Sequence, residues 1–172
     1  MARNIILVGP MGAGKTTIGK QLAQQLGRNF YDSDREIEKH TGANIPLIFE
    51  LEGEEGFRKR EKSILIKLAE KQEIVLATGG GVVLDPDNRA QLSKNGYVIY
   101  LSAPLTQLFN RTSKDRNRPL LQTENPRKKL EEIIAARDPL YREVADIIIE
   151  TDDKPVRNVV KNLLVLLKEQ NI

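Results

Sequence analysis

The sequence predicts an α/β domain in which a parallel β-sheet is covered by helices on both faces. Three observations carry that expectation. Five short strand-like runs alternate with helical stretches along the 172 residues, the order that builds parallel sheets. The first run, Ile5-Ile-Leu-Val8, leads straight into Gly9-Pro-Met-Gly-Ala-Gly-Lys-Thr16 and then into a helical stretch, so strand, glycine-rich turn and helix come in the order a phosphate-binding loop requires. Polar segments follow the carboxyl ends of four runs, where open α/β sheets bind ligands.

The elements are read in chain order. After the glycine-rich turn a helix runs from near Lys15 to Leu26 and stops at Gly27, and Asn29-Phe-Tyr-Asp32 forms the second strand. Ser33 or Asp34 caps a helix from Arg35 to about His40, which Thr41-Gly-Ala-Asn44 ends. Pro46 starts a helical region through Leu51, and Glu54 to Glu70 continues as a longer helix with apolar Phe57, Ile64, Leu65 and Leu68 near one face. Ile74-Val-Leu-Ala77 is the third strand and runs into Thr78-Gly-Gly-Gly81. A short helix over Pro86 to Lys94, a strand over Tyr97 to Leu101 and a helix over Pro104 to Asn110 follow. Residues 111 to 125 are charged and rich in turn formers with no apolar period, which reads as a functional loop or lid. Pro126 to Arg137 is helical, Asp146-Ile-Ile-Ile-Glu150 is the last strand, and Pro155 to about Gln170 closes the chain.

Composition bounds the answer. The chain is read as one domain over residues 1–172, and 40% apolar with 5% aromatic residues means an aliphatic core. Lysine and arginine number 27 against 24 acidic residues, a net charge of +3 that is too small to argue for nucleic acid. With no cysteine there is no disulfide framework or thiolate metal site, and the single His40 cannot build a histidine-based zinc site. No apolar run approaches the ~18 residues of a membrane span, and the expectation is a soluble cytoplasmic protein.

Each position of the glycine-rich turn has a physical job. Gly9, Gly12 and Gly14 permit positive φ and close backbone approach, so that successive N–H groups, including those of Ala13 and Thr17, can surround an anion. The helix that begins near Lys15 adds its positive end. Lys15 reaches the β- and γ-phosphates of a nucleotide and is read as exposed to that ligand, and the Thr16 hydroxyl sits on Mg²⁺.

Six segments in this order resemble shikimate kinase, a small P-loop kinase of the nucleoside monophosphate kinase structural class. They are the 9–16 turn, Phe-Tyr-Asp-Ser-Asp at 30–34, Glu-Gly-Glu-Glu-Gly-Phe-Arg at 52–58, Ala-Thr-Gly-Gly-Gly at 77–81, Arg-Pro-Leu-Leu at 118–121 and Arg-Asp-Pro-Leu-Tyr at 137–141. The resemblance implies a three-layer fold with sheet order 2-3-1-4-5, a substrate-binding helical region at about 33–61 and a mobile lid at about 111–125. It also implies transfer of the ATP γ-phosphoryl group to the 3-hydroxyl of shikimate, in the route to chorismate and the aromatic amino acids, by a monomer that needs Mg²⁺ and has no nucleic-acid or membrane partner.

Residue roles follow from the same matches. Asp34 holds the shikimate hydroxyls and is the candidate proton acceptor, while its bland role is a helix N-cap. Asp32 helps hold the Mg²⁺ water shell, or is an ordinary solvated carboxylate. Arg58 and Arg137 grip the shikimate carboxylate, because a guanidinium fork matches it bidentately; an ion pair with Glu54 would also explain Arg58, and a helix C-terminus before Asp138-Pro139 would also explain Arg137. Gly79, Gly80 and Gly81 let backbone N–H groups approach the substrate, Gly80 most directly, or merely turn the chain. Arg118 swings in with the lid onto the phosphates. Arg111 opens the lid and stacks on adenine, Lys114 and Arg116 are solvated lid charges, and Lys154 lies in a segment whose contact with adenine varies in the family. Two rivals stay open: another small P-loop kinase, such as one for gluconate or a nucleoside monophosphate, and a regulatory module that only holds nucleotide.

Overall fold

Alternation along the first strand already requires three layers. In β1 (Asn4–Val8) the residues Ile5 and Leu7 belong to one apolar cluster and Ile6 and Val8 to another, and all four are buried. A strand can bury both of its faces only when each is covered. The computed structural model describes residues 2–113, 115 and 118–172.

The remaining elements are α1 (Lys15–Leu26), β2 (Asn29–Asp32), α2 (Ser33–Thr41), α3 (Ile45–Ala69), β3 (Ile74–Ala77), α4 (Pro86–Asn95), β4 (Gly96–Ser102), α5 (Leu105–Thr112), α6 (Pro126–Val144), β5 (Ile147–Glu150) and α7 (Val156–Glu169). All five strands pair in parallel in the order β2-β3-β1-β4-β5. Residues of α1 and α7 fill one face around Ile5, Leu7 and Ile99. Residues of α2, α3 and α4 fill the other around Ile6, Val8 and Val98. Helix α6 reaches both, with Leu130 in the first cluster and Tyr141 and Val144 in the second. Among the described residues no helix is long and apolar enough to cross a membrane.

Several elements differ from the sequence reading. The cap of α2 is neither Ser33 nor Asp34. Asp32 takes that role, its carboxylate accepting from the amides of Asp34 and Arg35, so Asp34 stands in the first turn with its side chain released from capping. Helix α6 does not stop at Arg137 but runs to Val144 with Pro139 inside it. Proline withholds the N–H that would bond the Ala135 carbonyl and its ring crowds that carbonyl, a cost that packing of Tyr141 and Val144 into the core offsets. Arg111 closes the last turn of α5 rather than opening a loop. The two helical stretches expected on either side of Gly53 are both present: α3 is kinked between them where Gly53 takes φ 70°, ψ −178°, a backbone region open essentially to glycine alone. The outer strands β2 and β5 are only partly buried, because an edge strand has one neighbour.

Candidate active site

The sheet order puts β1 and β3 side by side, so the loops leaving their carboxyl ends meet. The glycine-rich turn leaves β1. Gly9, Gly12 and Gly14 all have positive φ (148°, 84° and 91°), and a Cβ on Gly9 would collide with the Leu101 carbonyl of neighbouring β4. The turn is therefore wedged against the sheet as well as coiled. Lys15, expected to be exposed, is instead buried at 9% accessibility, and its Nζ donates to the carbonyls of Gly9 at 2.6 Å and Pro10 at 2.9 Å. Burial, then repulsion from Arg118, lowers its pKa to about 7, with Asp34 and Asp32 pulling the other way. At the start of α1 the Thr16 hydroxyl donates to Asp32 Oδ2 at 2.6 Å.

Two clefts open on this rim. The larger, of about 360 Å³, is lined by the turn from Met11 through Thr17 together with Asp32, Arg111 and Arg118. The smaller, of about 60 Å³, is lined by Arg58, Arg137, Glu61 and the glycines 79–81. Asp34, Arg118, Met11, Ile45, Gly79 and Gly80 belong to both, so the clefts share a wall. Gly12, Gly14, Lys15, Thr16 and Thr17 all line the first, and Ala13 lies buried beneath it.

Helix periodicity brings the charges of the second cleft inward. The buried positions of α3 include Phe57, Glu61, Ile64, Leu65 and Leu68, and those of α6 are Leu130, Arg137, Tyr141 and Val144. Glu61 and Arg137 thus sit on apolar stripes, where a charge is costly unless something meets it. Arg58 donates to Glu61 at 3.0 Å and to Glu54 at 3.3 Å, so the expected pair with Glu54 exists but the buried partner is Glu61. Burial raises the Glu61 carboxyl to about 7 against the opposing pull of Arg58. Burial, reinforced by Asp32, also raises Asp34. Among the described residues Asp34 Oδ1 and Glu61 Oε2 are buried without a hydrogen-bond partner. Both face the Gly79 Cα, since a Cβ there would lie 2.7 Å from the former and 3.1 Å from the latter.

Arg118 is already at the shared wall, with Nε 3.0 Å from Asp115 Oδ2 in an ion pair that lacks hydrogen-bond alignment. Lys114 and Arg116 lie outside the described residues. Arg111 donates to the Gly12 carbonyl at 2.9 Å, and Lys154 is exposed.

A family model described as shikimate kinase matches residues 11–168. The chain belongs to the shikimate kinase family. A shikimate kinase of Nitrosococcus oceani is 58% identical over 166 residues, covering 96% of this chain and 87% of that one. One from Francisella tularensis subsp. novicida is 54% identical over 171 residues, 99% and 97% of the two chains. The solved structure of a shikimate kinase from Acinetobacter baumannii in complex with shikimate superposes with TM-score 0.97 at 51% identity, covering 100% of this chain and 96% of that one. A sugar kinase from Janibacter sp., at TM-score 0.65 and 18% identity, shares the fold.

Set against the sequence reading, Gly12, Gly14, Lys15, Thr16, Thr17, Asp32, Asp34, Arg58, Gly79, Gly80, Gly81, Arg111, Arg118 and Arg137 of this shikimate kinase domain line the two clefts, whereas Lys154 lines neither. Glu61, Ser33 and Tyr141 were not anticipated. Ser33 is fully buried and its Oγ accepts from the Gly79 amide at 3.0 Å. A signal for Glu61 did exist, as the one acid on the Phe57–Leu68 stripe three residues after Arg58.

Proposed function

We propose that the larger cleft takes ATP and the smaller takes shikimate, and that the γ-phosphoryl group passes between them to the shikimate 3-hydroxyl. The observation that carries this reading is the wall common to both clefts, formed by Asp34 and Arg118. A donor and an acceptor held on either side of it are already adjacent, and phosphoryl transfer asks mainly for alignment and charge neutralisation.

On the donor side the amides of Gly12 to Thr17 hold phosphate oxygens, and Lys15 leaves the Gly9 and Pro10 carbonyls for them. Arg111, at the end of α5, flanks the base. The Thr16 hydroxyl and Asp32 carboxylate are hard oxygen donors 2.6 Å apart, which suits Mg²⁺. An ion held there would take its other ligands from phosphate and water. When bound, Mg²⁺ neutralises charge on the transferring phosphates.

On the acceptor side Arg58 and Arg137 grip the carboxylate and the glycine turn at 79–81 supplies backbone donors. Asp34 Oδ1, buried and without a partner, accepts a hydrogen bond from the attacking hydroxyl. As the bond from that oxygen to the γ-phosphorus forms and the bond to the β-phosphate oxygen breaks, the hydroxyl proton passes to Asp34, whose raised pKa favours taking it. Arg118 stabilises the charge in transit, and the segment at about 111–125 covers the site. The enzyme acts as a cytoplasmic monomer.

The test is ADP release measured with Mg·ATP in the presence of shikimate, of gluconate, or of neither. Release that depends on shikimate alone supports the reading. Release indifferent to shikimate, or driven by gluconate, overturns the acceptor assignment and keeps only the nucleotide site.

A further inference from the structure

The glycine turn at 79–81 has a complete account of its carbonyls. Gly79 O accepts from the Val82 amide at 3.1 Å, Gly81 O accepts from the Leu84 amide at 3.1 Å, and Gly80 O accepts from the Tyr141 hydroxyl at 2.5 Å. The Gly79 amide is taken by Ser33, and among the described residues the amides of Gly80 and Gly81 have no partner. Two of the three carbonyl bonds are local to the turn. The third spans 61 positions of sequence and comes from α6.

That distant bond fixes the one peptide plane the turn cannot fix for itself. In a trans peptide the C=O and the following N–H point in opposite directions, so the hold on Gly80 O sets the direction of the Gly81 N–H. With glycine on both sides of that peptide, sterics alone leave its orientation free. Tyr141 is fully buried, its ring packs 5.0 Å from that of Tyr100, and the Tyr100 hydroxyl donates to Asp138 Oδ1 at 2.6 Å. Burial pushes the Tyr141 phenol up to about 12, with Arg137 opposing, so it remains a donor throughout the working range. It also lies one helical turn after Arg137, so a single segment of α6 presents both the cation and the clamp.

We infer that Tyr141 is a positioning residue for acceptor binding: by holding the Gly80 carbonyl it orients the free amide of the 79–81 turn for the acceptor. The inference rests on the assignment of the smaller cleft to shikimate.

The experiment compares the parent enzyme, Tyr141→Phe, and a variant with 4-aminophenylalanine at position 141, which restores a para donor. Shikimate and ATP affinities are measured by titration calorimetry, KM for each by coupled assay, and melting temperature without ligand. Loss of one neutral hydrogen bond weakens shikimate binding by between about three- and tenfold in Tyr141→Phe. ATP affinity and melting temperature stay near the parent's, and the amino variant recovers most of the loss. Unchanged shikimate affinity in Tyr141→Phe overturns the inference, as does equal loss for both substrates or failure of that variant to fold, either of which makes the hydroxyl a general support. If the parent itself ignores shikimate, the acceptor assignment fails instead.

Discussion

Arg58 and Glu61 form an ion pair at 3.0 Å in which the acid is 1% exposed and the arginine 22%. The carboxylate therefore does more for direction than for charge: it holds Nη1 of the guanidinium, while the exposed Glu54 takes Nη2 at 3.3 Å and is the partner an incoming carboxylate would displace. Glu61→Gln keeps the shape and weakens that hold. Shikimate KM should rise about tenfold with kcat changed less, as steady-state kinetics would reveal. Unchanged KM would mean Glu61 is only a structural acid.

The same acid makes the ligand-free protein sensitive to pH. Its folded-state pKa of about 7 lies above the ordinary 4.5, so the folded state holds the proton more tightly. The stability this contributes is present below pH 4.5 and is lost as pH rises through 7. Melting temperature should fall across that window in the parent and fall less steeply in Glu61→Gln. Parallel curves would contradict the assignment.

Lys15 has the opposite sign. Its folded-state pKa of about 7 lies below the ordinary 10.5, so the contribution is present above pH 10.5 and is lost as pH falls toward 7. The ligand-free parent should gain melting temperature between pH 7 and 9.5, and Lys15→Met should not. Turnover in Lys15→Met should drop by about a hundredfold or more, since a charge aimed at the transferring phosphate is removed.

The three glycines of the 79–81 turn should not tolerate alanine equally. A Cβ on Gly79 meets Asp34 Oδ1 at 2.7 Å, one on Gly81 runs into the Arg58 guanidinium, and one on Gly80 has no atom nearer than 3.5 Å. Gly79→Ala and Gly81→Ala should each cost about tenfold or more in kcat/KM for shikimate with ATP affinity kept. Gly80→Ala should cost less unless its Cβ blocks the acceptor, and calorimetry with shikimate separates those cases.

Gly9→Ala tests the scaffold. The position combines φ 148° with an overlap between a Cβ and the Leu101 carbonyl, so strain and collision add to about 3–5 kcal/mol. Thermal melting should show a loss of about 10 °C.

Local chemistry made much of this visible before any coordinates. The glycine-rich turn, the β3 boundaries and the start of α1 follow from short-range rules and agree with the structure. What escaped depended on the rest of the molecule. Proline at 139 reads as a helix stop, yet burial of Tyr141 and Val144 carries α6 past it. Ser33 and Asp34 are the capping candidates in a string of letters and Asp32 reads as a strand end, yet the extended Asp32 (φ −120°, ψ 121°) is the residue whose carboxylate reaches the free amides of α2. Lys15 looks like an exposed cation because its acceptors are carbonyls of its own loop, which carry no sequence signal. Tyr141 meets Gly80 across 61 positions, beyond the reach of any periodicity.

Strand placement gives the two reactants unequal mechanical support. The glycine-rich turn hangs from β1, flanked by β3 and β4 with every residue buried. Asp34 follows β2, which pairs with β3 alone and is half-open to solvent. The phosphate turn is consequently the stiffer support and Asp34, on the wall common to both clefts, the more compliant one. Amide exchange should be slowest at Ile6 to Val8 and markedly faster across β2 and α2. Adjustment of the reacting distance falls to Asp34, while the phosphate cradle stays still.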